Sequence, residues 1–348
     1  LEAANVWNIQ NRTSNIFTHN TLLTSYPAGG GGLASNIFVP GCTGGTCTGI
    51  DTPGFFYSKL GYAPSGGDFS VNGYLYGVAD VVTMYWGDGR YTWNQSSLKP
   101  FVALQGGWES NAGTSVVGKI QSSLAGVQAG LNVTRNVQIW GAYDSVPWRN
   151  DLVPTAYLTS INWKCNNSNY QLSPTGKVAT ATLPYFLPIN AGQCFTNTNG
   201  TTSIYYGGWA SPYTDNYATD PIFTSSIDQG MTDRRAPGTS EKVEAVYTSD
   251  NRRWVFIASD AWYNYGNALV GQDTNDWNLD GQYHFSAVPK TGHYKGLLLR
   301  YRYMQRSLTN TFCGAAGSYC PAGSTIGTSY LGGLPLFKYN RAQLEYDF

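Results

Sequence analysis

At 348 residues the chain is long enough for one large domain or two ordinary ones, and its formal net charge is zero, so bulk charge gives no reason for it to bind nucleic acid or an anionic membrane surface. Charged residues make up only 12% of it and aromatics 15%, with 41 Gly and 26 Tyr, where soluble domains carry roughly 25% charge. No apolar run reaches the roughly 18 residues of a membrane helix, which leaves open a barrel whose strands need only about 9–11 alternating residues.

In chain order, residues 1–10 read as a strand, and a Gly-rich loop follows over 28–53, with Cys42 and Cys47 inside it. Residues 55–93 are rich in Tyr, Val and Gly and read as two or three strands. In 98–108, Leu98, Val102, Leu104 and Trp108 alternate with Lys99, Ala103 and Gln105. A polar turn around 110–114 leads into an expected strand over 116–131, and the turn at 132–136 leads to Val137, Ile139 and Tyr143 on one strand face. Residues 145–240 lose this regularity and are expected to form long external loops. Strands resume at 241–247 and 253–265.

The best-patterned strand is 277–287. Trp277, Leu279, Gly281, Tyr283, Phe285 and Ala287 lie on one face, and Asn278, Asp280, Gln282, His284 and Ser286 on the other. A short turn at 289–292 leads to a strand in which Leu297, Leu299, Tyr301 and Tyr303 oppose Arg300, Arg302 and Arg306. The last strand ends the chain with Ala342, Leu344, Tyr346 and Phe348 on one face and Arg341, Gln343, Glu345 and Asp347 on the other. The expected fold class is therefore all-β, with no helix needed. Period-two alternation fits a transmembrane antiparallel barrel, with its apolar face toward lipid, and equally a sandwich, with that face in its core. Tyr and Trp gathered near strand ends favour the barrel.

Function follows from what the polar face would line. From Pro289 onward seven Lys or Arg residues stand against the two acids Glu345 and Asp347. A lumen lined by Arg300, Arg302, Arg306 and Arg341, opposed by Asn278, Asp280, Gln282 and His284, would concentrate anions and guide carboxylates. Alternatively, the arginines balance wall acids, since a hairpin centred on Lys290 sets Asp280 opposite Arg300. The six cysteines, Cys42, Cys47, Cys165, Cys194, Cys313 and Cys320, read as three loop disulfides of an oxidising compartment, with connectivity open.

Signals of chemistry are weak. Gly113–Lys119 fits the spacing of a phosphate-binding loop, but Ile120 replaces the hydroxyl that would hold magnesium. Asp273, Asn275, Asp276 and Asp280 suggest a calcium loop, but His284 stands where a bidentate Glu belongs. No metal, cofactor or catalytic group is expected, and the protein is not expected to be an enzyme. The alternative function is a secreted, disulfide-stapled β-sandwich acting as a carbohydrate-binding module or hydrolase.

The C-terminal half resembles the OprD-type outer-membrane porins. The resemblance rests on Glu241-Lys242 leading to Tyr247, on Asp276-Trp277 with Tyr283, on the run from Gly292 to Arg302 (GHYKGLLLRYR), and on Asn340-Arg341. The order and spacing of Tyr74–Tyr85 and of the hairpins to Tyr143 are also similar. It implies a barrel of about eighteen strands in the outer membrane of a Gram-negative bacterium, often trimeric, passing small hydrophilic solutes through a basic ladder past infolded loops. Of the ladder, it carries over Arg300 and Arg302. About twelve strands are recognisable here. No signal peptide opens at Leu1, and in the resemblance Leu1-Glu2-Ala3 corresponds to a point well inside the family's barrel, so the chain is expected to be a single barrel domain that either lacks its first strands or is a smaller barrel.

Overall fold

The computed structural model describes residues 1–6, 8–10, 17–19, 42–43, 46–47, 55–65, 67–79, 82–113, 119–160, 193–209, 222–227, 237–264, 273–288, 296–308 and 338–347. Its strands are β1 (Glu2–Val6), β2 (Asn8–Gln10), β3 (Phe17–His19), β4 (Cys42–Thr43), β5 (Thr46–Cys47), β6 (Phe55–Tyr62), β7 (Phe69–Val78), β8 (Val82–Thr92), β9 (Phe101–Asn111), β10 (Gln121–Asn132), β11 (Val137–Val146), β12 (Arg149–Pro154), β13 (Gln193–Thr196), β14 (Thr201–Tyr206), β15 (Gly238–Thr248), β16 (Trp254–Asn264), β17 (Thr274–His284), β18 (Gly296–Leu308) and β19 (Lys338–Asp347). One short helix, α1 (Thr155–Ser160), interrupts the all-β expectation.

Twelve strands form one sheet in the order β1-β6-β7-β8-β9-β10-β11-β15-β16-β17-β18-β19, and every pairing in it is antiparallel. β1 and β19 are its edge strands, and no pairing joins them among the described residues. Because neighbours run in opposite directions, connections alternate between the two ends of the sheet. The short ones, 63–68, 93–100, 133–136, 249–253 and 285–295, share one end. The long ones, 7–54, 112–120, 147–237, 265–273 and 309–337, share the other, together with the brief 79–81 link.

The two faces are inverted relative to a soluble protein. On one face the large apolar side chains are exposed: Leu104 is 61% exposed, Phe256 48%, Leu299 49% and Leu344 67%. On the other, polar and charged groups are buried, including Gln105, Glu109, Asp144, Ser240, Lys242, Asp276, Asn278 and Arg306. β17 alternates strictly, with Asp276, Asn278 and Asp280 buried and Trp277 and Leu279 exposed between them. A sandwich would hide the apolar face against a second sheet, so this inversion overturns the secreted-sandwich alternative. It is the parity of a wall between lipid and water.

Exposed aromatics gather towards both strand ends. Trp254, Phe285 and Tyr346 stand near the short-turn end, and Tyr143 and Trp262 near the other. Trp254 and Trp262 share one side of β16 eight residues apart, about 26 Å along the strand, or roughly 20 Å of height at a tilt of about 35–45°, comparable with an apolar band of about 25 Å bounded by aromatic girdles.

Within 147–237, where long external loops are expected, the described residues include secondary structure of their own. β12, β14 and β13 pair as a small antiparallel sheet, and neighbouring segments lie against the polar face of the large one. Trp209 is buried edge-on against Trp86 with ring centroids 5.7 Å apart, and Ser122 donates to the Gly207 carbonyl at 2.5 Å. Gly107 leaves the room this requires, because a Cβ there would stand 2.8 Å from the Trp209 ring. Of the strand expected over 116–131, 116–118 lie outside the described residues and β10 covers Gln121–Asn132.

One bond on the polar face spans three strands. Gln105 of β9 donates to Asp144 of β11 at 2.5 Å, passing over Gly126 of β10. A Cβ at Gly126 would fall 1.8 Å from the Asp144 carboxylate, so only glycine permits the bridge.

Two outcomes test these assignments. Leu279→Arg places a cation on the apolar face and should destabilise the folded protein in lipid vesicles by about 2–4 kcal/mol in urea titrations; unchanged stability would mean that lipid does not cover this face. Gly126→Ala should cost about 1–3 kcal/mol through overpacking in the same titration, and Gln105→Ala in the same chain should recover part of it.

Candidate functional site

The polar face of β17, β18 and β19 carries the sequence-predicted residues, and backbone parity places them together. Arg300, Arg302 and Arg306 lie on one side of β18, interleaved with exposed Leu299, Tyr301 and Gln305. Asn278, Asp280, Gln282 and His284 face the same way from β17, and Arg341 does so from β19. The hairpin is displaced by two residues from the one centred on Lys290, because Asp280 pairs with Arg302, Gln282 with Arg300 and Asp276 with Arg306. An even displacement keeps every side chain on its face, which is why parity survived the misplaced turn.

The four arginines differ in how fully each is neutralised. Arg306 is buried with Asp276; its Nε donates to Oδ1 at 3.0 Å and its Nη2 to Oδ2 at 3.2 Å, and neither side chain is exposed to solvent. Arg300 reaches diagonally to Asp280, and its Nε donates to both carboxylate oxygens at 2.9 Å while Nη2 also donates to Oδ2. Arg302 lies 3.6 Å from the same carboxylate through Nε. Arg302 also stands directly across from Arg341, whose Nη1 donates to the Tyr339 hydroxyl at 3.4 Å. Arg300 and Arg302 thus share the Asp280 carboxylate, Arg341 has no ion pair among the described residues, and the surplus positive charge is centred on Arg302 and Arg341. The ladder is neither uniform nor fully balanced.

The remaining predicted residues have local roles. His284 Nε2 lies 3.2 Å from the Gln282 amide oxygen. Asn278 donates to the Asp276 carbonyl at 2.9 Å, and its own side-chain oxygen accepts from the Ile227 amide at 3.4 Å. Cys42 and Cys47 face each other in the β4–β5 pairing, and Cys194 stands opposite Ile204. Cys165, Cys313, Cys320, Lys290, Lys295 and Phe348 lie outside the described residues, as do the side chains of Cys42, Cys47 and Cys194. No disulfide is recorded among the described residues.

The chemistry-like motifs resolve into wall structure. Asp276 and Asp280 sit in a strand rather than a calcium loop, each paired with arginine, and no group of side chains able to hold a metal ion occurs among the described residues. Of the phosphate-loop match, 114–118 lie outside the described residues, and the chain beyond it runs into strand β10. Lys119 instead donates to Asp151 at 2.7 Å. Burial alone would lower its pKa, but its hydrogen bonds to Asp151 and Tyr206 outweigh that and raise it.

Sequence reasoning missed the segment 222–227, which crosses the polar face. Its amide at Thr224 donates to Asp144 at 2.9 Å, and Ser226 donates to Asp276 at 2.9 Å. Lys242 donates to the Ser225 carbonyl at 2.8 Å while also bridging to Glu244 at 2.9 Å. The one available signal was the density of acids and hydroxyls on strand positions that parity assigns to the polar face.

No family model matches the sequence, and no curated protein matches it. Solved structures do match. Acinetobacter baumannii OccAB3 is similar with a TM-score of 0.52 and 11% identity, over 99% of this chain and 63% of that one. Pseudomonas aeruginosa OccK8 (OprE) is similar with a TM-score of 0.50 and 11% identity, over 88% of this chain and 62% of that one. The chain therefore spans just under two thirds of the length of either. With one continuous antiparallel sheet, an exposed apolar face, a buried polar face and long connections at one end, the chain has the fold of the OprD/Occ-type outer-membrane channels.

Proposed function

We propose that this chain forms the wall of a water-filled outer-membrane channel through which small hydrophilic solutes diffuse passively, with a preference for anions or carboxylates. The observation that carries the reading is the inversion of the two faces: exposed Leu, Phe, Tyr and Trp on one, buried Asp, Arg, Lys and Asn on the other. Such a wall does no chemistry. It holds polar groups along a path where solutes exchange hydration for contacts with the wall. The anion preference rests on Arg302 and Arg341, which face each other; Arg302 lies 3.6 Å from an Asp280 carboxylate already forked by Arg300, and Arg341 has no ion pair among the described residues. Arg300 contributes less because its fork onto Asp280 is nearly closed, and Arg306 contributes least because it is buried in its own pair. The domain is read as one barrel, and the resemblance adds the expectation of a homotrimer, which native mass in detergent measures.

The test is planar-bilayer recording of the detergent-purified protein under a salt gradient. Stable current steps with an anion-selective reversal potential are expected. Arg302→Ala/Arg341→Ala should move that potential toward cation selectivity, and Arg300→Ala alone should move it less. Steps whose reversal potential ignores Arg302 and Arg341 would retire the ladder and keep the channel. An absence of steps from well-folded protein would retire the channel itself.

A further inference from the structure

Across the polar face, residues 222–227 alternate as a strand would, although they pair with none. Ile222, Thr224 and Ser226 are buried against the wall, and Phe223, Ser225 and Ile227 are half-exposed. The segment is held across four strands at successive points. Asp144 of β11 accepts the Thr224 amide, Ser240 of β15 meets the Thr224 hydroxyl at 2.6 Å, and Tyr263 of β16 donates to the Thr224 carbonyl at 2.8 Å. Asp276 of β17 then accepts the Ser226 hydroxyl. The two carboxylates are fully buried, and each is fixed from behind, Asp144 by Gln105 over Gly126 and Asp276 by the Arg306 guanidinium.

We propose that Asp144 and Asp276 are positioning residues that hold 222–227 at a fixed height over the wall, so that they set the width of the pore and not its charge preference. The inference rests on the channel reading and deepens it by dividing the labour. Acids beside a permeation path would ordinarily be assigned to cation attraction. Here both oxygens of each carboxylate are engaged by donors, two neutral ones on Asp144 and the Arg306 guanidinium together with the Ser226 hydroxyl on Asp276. A carboxylate is suited to this work because it accepts charge-assisted hydrogen bonds from two sides at once, one to the wall and one to the segment. Selectivity is left to Arg302 and Arg341, which make no hydrogen bond to the segment among the described residues.

The experiment compares the parent chain with Asp144→Ala, Asp144→Asn and Ser226→Ala in planar bilayers, and measures amide hydrogen exchange over 222–227 by mass spectrometry. In Asp144→Ala the open-state conductance should rise, rapid flicker should appear, and the reversal potential should stay at the parent value. Asp144→Asn keeps a single acceptor oxygen and should fall between the two. Ser226→Ala removes only a hydroxyl, so it reads the same effect if Asp144→Ala does not fold. Exchange at the Thr224 amide should be slow in the parent and fast in Asp144→Ala. Parent-like conductance and exchange in folded variants would overturn the proposal, as would a shifted reversal potential at constant conductance. If the parent itself conducts nothing, the channel reading fails, and the Thr224 exchange rate still decides whether Asp144 holds the segment.

Discussion

A sheet that separates lipid from water is governed by one constraint above the others, that its backbone donors and acceptors must be satisfied within the sheet itself. Twelve antiparallel strands meet that requirement along an unbroken ladder between β1 and β19, whose outer edges pair with nothing among the described residues. Once the ladder is fixed, side-chain parity follows and sorts residues into two media without further instruction. The exposed Leu, Phe and Trp, the buried acids and arginines, and the convergence of β17, β18 and β19 on one charged cluster are consequences of that sorting. Even the displaced 285–295 connection preserved them, since a shift of two residues returns every side chain to its own face.

Electrostatics in the wall then depends on pairing distances rather than on the count of charges. Four arginines on one face suggest a uniform basic track. The geometry instead grades them from the fully enclosed Arg306, through the forked Arg300, to Arg302 and Arg341 across one strand gap. Bringing two guanidinium groups into register costs energy through like-charge repulsion, and Asp280 relieves only part of it. The relief is incomplete between Arg302 and Arg341, where no further acid is paired among the described residues.

The alternation of 274–284, 296–308 and 338–347 made the fold legible in the sequence, because period two leaves a strong signal in strands as long as these. Assigning Asp280 and Arg302 to one face required nothing more. The choice between lipid and a hydrophobic core on the apolar face was less accessible, since alternation is the same in both, and solvent exposure of Leu104 and Leu344 was needed to decide it. The course of 222–227 was hidden for another reason. Its contacts with Asp144, Tyr263 and Asp276 join residues distant in sequence, and nothing local marks a segment whose partners are side chains of a wall rather than a neighbouring strand.

The bridge from Gln105 to Asp144 above Gly126 also constrains how this protein can change over time. A side chain at position 126 collides with the carboxylate for as long as the bridge exists. Substitution there becomes tolerable only after the bridge has been given up, and giving it up releases one of the two holds on Asp144. The three positions therefore form an epistatic unit across three strands, in which the order of mutations decides which descendants remain functional.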